Sequence, residues 1–280
     1  KQWRVLLVFL VLIEHQCRDK QHKMSMTTIA ARLAERLSGN LRGLALILRE
    51  PGFARVRRVG GDRELFRLLS RPWLDRGGIR AVIDCGANEG QAAIAFRELF
   101  PEAHIHSFEP LAEPAARLKE RFSGDQRFWL HPVACGSTAG RVPFREAEFS
   151  PASSFLKACG SAPEEELPTS AQPTTIEVPV ERLDAYLPDK NLPPGPWLLK
   201  LDVQGFELEV LRGAVGLFPN VSVIVCEILL AEFYEGQARL EDIFGFLRSH
   251  GFVPIDIDEP IRTPNSHKIL YLDVAFAAQR

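Results

Sequence analysis

Ala81-Val82-Ile83-Asp84-Cys85-Gly86-Ala87-Asn88-Glu89-Gly90 is where the fold of this chain becomes readable. Ala81 to Asp84 is a short apolar run of the kind a buried parallel strand shows. The run breaks into Gly86, Asn88 and Gly90, and from Gln91 to Phe100 the apolar residues recur at helical spacing. Strand, small-residue turn and helix bring backbone N–H groups to a helix N-terminus, where a ligand can meet them. Glycine is expected in the turn because a Cβ would block close approach of ligand and backbone. A second strand, His104 to Phe108, ends in Glu109-Pro110. That puts a carboxylate roughly twenty residues past the glycines, where a nucleotide-binding βαβ unit holds ribose hydroxyls.

The spacing is Gly-x-Asn-x-Gly and not the Gly-x-Gly-x-x-Gly of dinucleotide enzymes. The turn is one residue tighter, and Asp84 and Glu89 add negative charge beside it. Those carboxylates repel a diphosphate and suit a ligand carrying an amino group and a sulfonium. A glycine-rich turn alone also fits an ordinary strand-to-helix connection. With Glu109 at the end of the next strand, the nucleoside-ligand reading is favoured.

Hydrophobic residues make up 46% of the 280 and charged residues 25%, which excludes wholesale disorder. The formal net charge of −2 gives no electrostatic reason to expect nucleic acid as a partner. Five cysteines (Cys17, Cys85, Cys135, Cys159 and Cys226) form no CxxC pair, and three lie in apolar strand-like runs. An odd number, placed as small core residues, reads as a reducing compartment, so a cytoplasmic location is expected.

Val5 to Ile13 is a nine-residue apolar run behind Lys1 and Arg4, too short to span a bilayer. The following Glu14 to Arg18 offers no small-residue cleavage site, so residues 1–26 are expected to be an upstream extension or leader. Met24 or Met26 reads as an initiator. His15, Cys17 and His22 lack a fourth partner, and no metal site is expected. Thr27 to Leu48 has the periodicity of two short helices interrupted at Ser38-Gly39-Asn40, and Asp62 is the expected N-cap of another, with Leu65, Phe66 and Leu69 on one face. These segments, 27–75, are expected to form an N-terminal helical cap.

Further along, a helix is expected over Leu111 to Phe122 and a third strand over Arg127 to Cys135. Gly140 to Arg145 and Ile176 to Val180 read as strands joined by an insertion, residues 146–175, which carries Ser153-Ser154-Phe155. A loop of that length in a compact domain is functional or disordered. After the Pro193-Pro194-Gly195-Pro196 stop, strand Trp197 to Val203 carries Asp202 near its end, and Gly205 leads into a helix that Gly213 terminates. Val221 to Cys226 is another buried strand, with Glu227 after it. A helix over Leu240 to His250 and strands over Phe252 to Ile257 and Ile269 to Ala277 close the chain. Strands alternating with helices give an α/β domain with a largely parallel sheet. The last two strands have about a dozen residues and no helix between them, so the final strand is expected to be antiparallel.

With these segments in place, the chain resembles the FkbM-type family of S-adenosylmethionine-dependent methyltransferases. Val82 to Gly90 is similar to the family's cofactor loop, and Phe108-Glu109-Pro110 to its acidic ribose motif. Leu199 to Ala214, with Lys200-Leu201-Asp202-Val203-Gln204-Gly205-Phe206-Glu207, is similar to its most distinctive block. Order and spacing match as well, over roughly Asp62 to Ala277. The resemblance implies a Rossmann-like class I methyltransferase domain (76–280) with a mostly parallel seven-stranded sheet. It implies O-methylation of a hydroxyl on a small metabolite, sugar or polyketide, with S-adenosyl-L-methionine as methyl donor. One departure stands out: the family often has glutamate where Gln204 stands. Glutamine keeps hydrogen bonding and loses a charge and any use as a base.

In a doubly wound sheet, ligands sit outside the carboxyl ends of the strands. Asp84, Gly86, Ala87, Asn88, Gly90, Glu109, Pro110 and Ala134 are therefore the expected cofactor-binding residues. Gly86, Asn88 and Gly90 are assigned to the amino-acid portion, Glu109 to the ribose and Ala134 to the adenine side. Asp202 is the first choice for orienting or deprotonating the acceptor hydroxyl, with Glu227 second. Ser153, Ser154 and Gln204 are candidate acceptor contacts. Asp202 as a mere helix cap, Glu227 paired with a rim cation and His131 as a core histidine are the plainer readings of those residues. Lys200, in a strand with apolar neighbours, is a candidate to pair with a carboxylate and receives no functional role. Two other function classes stay open: a nicotinamide-dependent oxidoreductase, against which the missing dinucleotide motif argues, and a non-catalytic cofactor-binding module, which Gln204 keeps in view.

Overall fold

A computed structural model describes residues 49–146, 154–159, 174–263 and 266–279. The expected leader, the two helices over Thr27 to Leu48 and most of the insertion, with Ser153, fall outside the described residues. In chain order these form α1 (Gly52–Arg58), α2 (Arg63–Leu69), β1 (Ala81–Cys85), α3 (Gln91–Leu99), β2 (His104–Phe108), α4 (Ala112–Arg121) and β3 (Phe128–His131). Next come β4 (Ala134–Cys135), β5 (Gly140–Glu146), β6 (Thr174–Glu181), α5 (Leu183–Tyr186), β7 (Trp197–Leu201), α6 (Glu207–Arg212) and β8 (Val221–Leu229). The chain closes with α7 (Leu240–Ser249), β9 (Phe252–Ile257), β10 (Ile261–Arg262) and β11 (Ile269–Ala278).

All five residues of β1 are buried, as are all five of β7. Both strands lie inside the sheet with both faces covered, which is why their sequences run apolar without alternation. The sheet order is β10-β11-β8-β7-β1-β2-β3, with β9 also paired to β11. The strands from β3 to β8 are parallel, and β11 runs antiparallel to β8 and β9. The expected antiparallel final strand is therefore present. Seven strands make the doubly wound frame, and the two-residue β10 is an eighth that the sequence reading lacked.

Three expectations are corrected. The third strand divides: β3 ends at His131, because Pro132 has no N–H to continue the ladder. β4 then joins β5 and β6 in a separate three-stranded sheet, so the Gly140 and Ile176 strands belong there and not to the main sheet. β8 continues through Leu229, which places Glu227 within a strand and not after one.

Core side chains on one face of the sheet, such as Ile83, Leu199 and Ile224, pack with Val210 and Leu211 of α6 and Ile243 and Leu247 of α7. Each such fully buried aliphatic side chain contributes about 1.5–3 kcal/mol. α1, α2 and α3 pack together, with the rings of Phe53 and Phe66 5.7 Å apart. Asp62 caps α2, accepting from Leu65 N at 2.9 Å. Arg67 and Arg71 of this segment pair with Asp258, which fixes α2 against the β9–β10 connection. Cys85, Cys135 and Cys226 are buried and free, as expected of small core residues. Among the described residues no helix is long and apolar enough to cross a membrane.

Candidate active site

The loop from β1 to α3 is held down by the end of β2. Gly86 N and Ala87 N both donate to Phe108 O, at 3.1 and 3.0 Å, and Gly90 N donates to Ala87 O at 2.8 Å. The turn needs left-handed backbone at Gly86 (φ +77°), Asn88 (φ +47°) and Gly90 (φ +89°), which glycine and asparagine adopt most readily. Gly86 is required for a second reason. A Cβ there would lie 1.8 Å from the carbonyl oxygen of Asp202, so the close approach it permits is first of all to the loop after β7.

Glu109 braces this turn from the side. Its Oε2 accepts from Asn88 N at 2.9 Å and its Oε1 from Leu111 N at 2.8 Å. The residue is 6% exposed, and burial pushes its carboxyl up to about 7 although both N–H donors favour the charged form. Gly86, Asn88, Glu109, Pro110 and Ala134 line one cavity of roughly 270 Å³, together with Asp202, Gln204 and Glu227. Thus eight of the sequence-derived site residues converge on one space.

Asp84, Ala87, Gly90 and Ser154 do not line it. Asp84 is wholly buried beneath the turn, accepting from Ser107 Oγ at 3.1 Å, with Oδ1 3.5 Å from Lys200 Nζ. Parallel register explains the pairing: Asp84 stands beside Ser107 on β2 and Lys200 on β7, all on one face of the sheet. Asp84 and Glu89 do lie beside the turn, and each is ion-paired within the chain, Asp84 with Lys200 and Glu89 with Arg117. Ala87 is buried, Gly90 is the N-cap of α3, and Ser154 supports the β7 loop from below.

Lys200 is the residue whose importance the sequence reading missed. Its ammonium donates to Gly86 O at 3.1 Å and to Asp202 Oδ2 at 3.3 Å, tying the two loops together. Burial works against its charge, but Asp202, Asp84 and Asp62 outweigh it and raise its proton affinity. A lysine in an apolar strand, in register with an aspartate in another, is a signal that strand pairing alone makes visible.

The loop after β7 carries the remaining polar groups. Asp202 does not cap α6: Phe206 holds the N-cap position, and no side chain caps it. Instead Gln204 Nε2 donates to Asp202 Oδ1 and to Glu227 Oε2, at 3.1 Å each. Tyr234 Oη donates to Gln204 Oε1 at 3.0 Å. Glu227 thus meets an amide and, among the described residues, no rim lysine or arginine. Burial pushes its carboxyl well up, and the charges of Asp202 and Asp273 push in the same direction. Asp273 stands directly opposite Glu227 in the antiparallel β8–β11 pair and is itself pushed up to about 7, by burial and then by Asp202. His131 is a core histidine: its ring stacks 4.6 Å from Phe108, and burial pulls it down to about 4.

A second cavity of roughly 240 Å³ shares Asp202, Glu227 and Tyr271 with the first and extends to Asp62, Leu65 and Asp273. α2 therefore forms part of its wall. Phe155 of the insertion also lines the first cavity, its ring 4.9 Å from Phe144 and 4.7 Å from Phe206. In the sequence Phe155 is named beside Ser153 and Ser154, but neither it nor Phe144 receives a role, because an aromatic residue in an insertion or on an edge strand carries no spacing signal.

The family model described as the methyltransferase FkbM domain matches residues 84–254, more than half of the chain. The chain belongs to this family of S-adenosylmethionine-dependent methyltransferases, as the resemblance in its motifs implied. The 2-O-methyltransferase NoeI of Sinorhizobium fredii (strain NBRC 101917 / NGR234) is 29% identical over 198 residues, covering 68% of this chain and 78% of that protein. Among solved structures, the methyltransferase FkbM from Methylobacillus flagellatus KT matches with a TM-score of 0.47 and 14% identity, over 83% of this chain and 60% of that one. The magnesium protoporphyrin IX methyltransferase of Synechocystis PCC 6803, solved with S-adenosylmethionine bound, matches with a TM-score of 0.42 and 9% identity, over 93% and 87% of the two chains. Family membership sets aside the nicotinamide-enzyme alternative.

Proposed function

We propose that this protein transfers a methyl group from S-adenosylmethionine to a hydroxyl of a small, polar acceptor such as a sugar or hydroxylated metabolite. The observation that carries this is the Asp202–Gln204–Glu227 group, which sits where the two cavities meet. One cavity is lined by Gly86 and Asn88 of the turn and by the Glu109 carboxylate, a fit for an amino acid joined to a ribose. The other is walled by oxygen-bearing side chains, a fit for a polyhydroxylated acceptor. The Sinorhizobium relative, a 2-O-methyltransferase, points the same way.

When bound, S-adenosylmethionine supplies an electrophilic methyl on a sulfonium, which departs as a neutral thioether. The chain's own residues do the rest. The Gly86–Gly90 turn, with Asn88 and Ala87, holds the amino-acid portion, while Asp84 and Lys200 fix the turn from beneath. Glu109 accepts from the ribose hydroxyls, with Pro110 shaping the strand end and Ala134 facing the adenine. Asp202 orients the acceptor hydroxyl and takes its proton as the oxygen–methyl bond forms, and Glu227 is the alternative acceptor of that proton. Ser154 and Gln204 hold this arrangement.

Labelled S-adenosylmethionine, offered with a panel of sugars, hydroxylated metabolites and amines, tests this reading. The expected product is a methyl ether, and Asp202→Asn is expected to lower kcat by about 10²–10⁴. Methyl transfer to nitrogen, or an Asp202→Asn variant as fast as wild type, would overturn it.

A further inference from the structure

We propose that Gln204 is a positioning residue whose carboxamide acts in place of a cation between Asp202 and Glu227, holding the two carboxyl groups in one arrangement at the acceptor side of the site. An amide NH2 has two hydrogens, and here each meets a different carboxyl oxygen at 3.1 Å. The third corner of the amide is also committed, because Tyr234 Oη donates to Oε1 at 3.0 Å. The two carboxyl groups set which way the amide faces, since the tyrosine hydroxyl can donate or accept. Turned over, its oxygen would confront two carboxyl groups.

The backbone around Gln204 is pinned independently of its side chain. Gln204 sits at φ +54° and Gly205 at φ +92°. Ser154 Oγ donates to Gln204 O at 2.8 Å, and Ala238 N donates to Gly205 O at 3.0 Å. Glu207 Oε1 receives Val203 N and Gly205 N, at 3.1 Å each. The loop therefore keeps its shape without the amide, whose hydrogen bonds run to the two carboxyl groups and to Tyr234. A side chain needed only for the turn would have no reason to reach both.

The setting makes a neutral donor effective. The ammonium of Lys200, which pairs with Asp202, is shared with Asp84 and Gly86 O. Facing Asp202 and Glu227 from the surrounding elements are Asp84 of β1, Asp62 at the start of α2, Glu207 of α6, Asp273 of β11 and Tyr234. A third carboxylate at position 204 would place three anions around one point within reach of a single ammonium. Such a group takes up a proton or a hard divalent cation.

Resting on the methyl-transfer reading of the site, the role of Gln204 fails separately from it. Titration of the wild-type protein with S-adenosylmethionine tests the former, whereas manganese(II) alone and carboxyl titration test the latter. Gln204→Glu is expected to bind manganese(II) at least about tenfold more tightly than wild type, because carboxylate oxygens are the ligands hard cations prefer. Carbon-13 NMR titration of the carboxyl groups supplies the second readout. Gln204→Met, which removes both donated hydrogens, is expected to raise a carboxyl midpoint of the pair by about one unit or more, and Tyr234→Phe by less. Manganese affinity equal to wild type in Gln204→Glu, or midpoints unmoved in Gln204→Met and Tyr234→Phe, would overturn the proposal. Tyr234→Phe leaves residue 204 in place, so it decides the matter if the Gln204 variants fold poorly.

Discussion

Two loops of this molecule are built alike and face opposite ways. The turn after β1 and the turn after β7 each leave a buried parallel strand, pass through left-handed backbone and enter a helix. In each, a buried glutamate collects two backbone N–H groups: Glu109 takes those of Asn88 and Leu111, and Glu207 those of Val203 and Gly205. Burial pushes both carboxyls up to about 7. The difference is orientation. Glu109 lines the cavity, so the first loop presents that carboxylate and its Gly86–Asn88 edge to the cavity. Glu207 is 1% exposed and turned into the loop, which leaves the side chains of Asp202 and Gln204 to face the cavity. Under the proposed function, one device serves the cofactor side and the same device inverted serves the acceptor side.

Lys200 is where the two loops depend on each other, so breaking it should have the largest effect. Lys200→Met removes the cation shared by Asp84 and Asp202 and leaves Asp84 buried without compensation. Removing one partner of a buried pair costs roughly 3–5 kcal/mol. Urea unfolding is expected to show a loss of that size. A loss within about 0.5 kcal/mol, the ordinary surface range, would mean that the loops are held by something else.

Glu207 sharpens the comparison through pH. Its folded-state carboxyl is raised from the ordinary 4.5 to about 7, first by burial. The folded state therefore holds a proton that the unfolded state has lost between those values. The group costs nothing below about 4.5 and imposes its full penalty above about 7, on the order of 3 kcal/mol. Buried His106 and His131, pulled down to about 3 and about 4, act in the opposite direction, so only differences between variant and wild type are informative. Glu207→Gln, measured by thermal unfolding, should gain stability relative to wild type as pH rises from 5 to 8. A difference that stays flat with pH would show that Glu207 is charged in the folded protein throughout.

The two loops were also unequally legible. The cofactor side was readable because its parts lie within about thirty residues, and because Gly86, Asn88, Gly90 and Glu109 must keep that order for any chain making this turn. The acceptor side is assembled from positions 154 to 273, and only strand order brings them together. Asp202 and Glu227 could be read as strand-end carboxylates. Their coupling through Gln204 and Tyr234 could not, since Tyr234 lies in an irregular connection with no periodicity. The Asp84–Lys200 pair depends on the register between β1 and β7, which sequence spacing does not encode. The apolar pattern through His131-Pro132 predicts continuous strand, but Pro132 lacks the N–H and the chain there changes sheet.

The central claim is that cofactor and acceptor functions divide between these loops, and calorimetric titration with S-adenosylmethionine tests it most directly. Glu109→Gln exchanges a charge-assisted acceptor for a neutral one, which is worth roughly 1.5–3 kcal/mol, so affinity should fall by about ten- to a hundredfold. Asp202→Asn should leave affinity within about threefold, since hydrogen bonds absent from the cofactor side contribute nothing to its binding. Equal losses in the two variants, or a Glu109→Gln protein that binds as wild type does, would contradict the division.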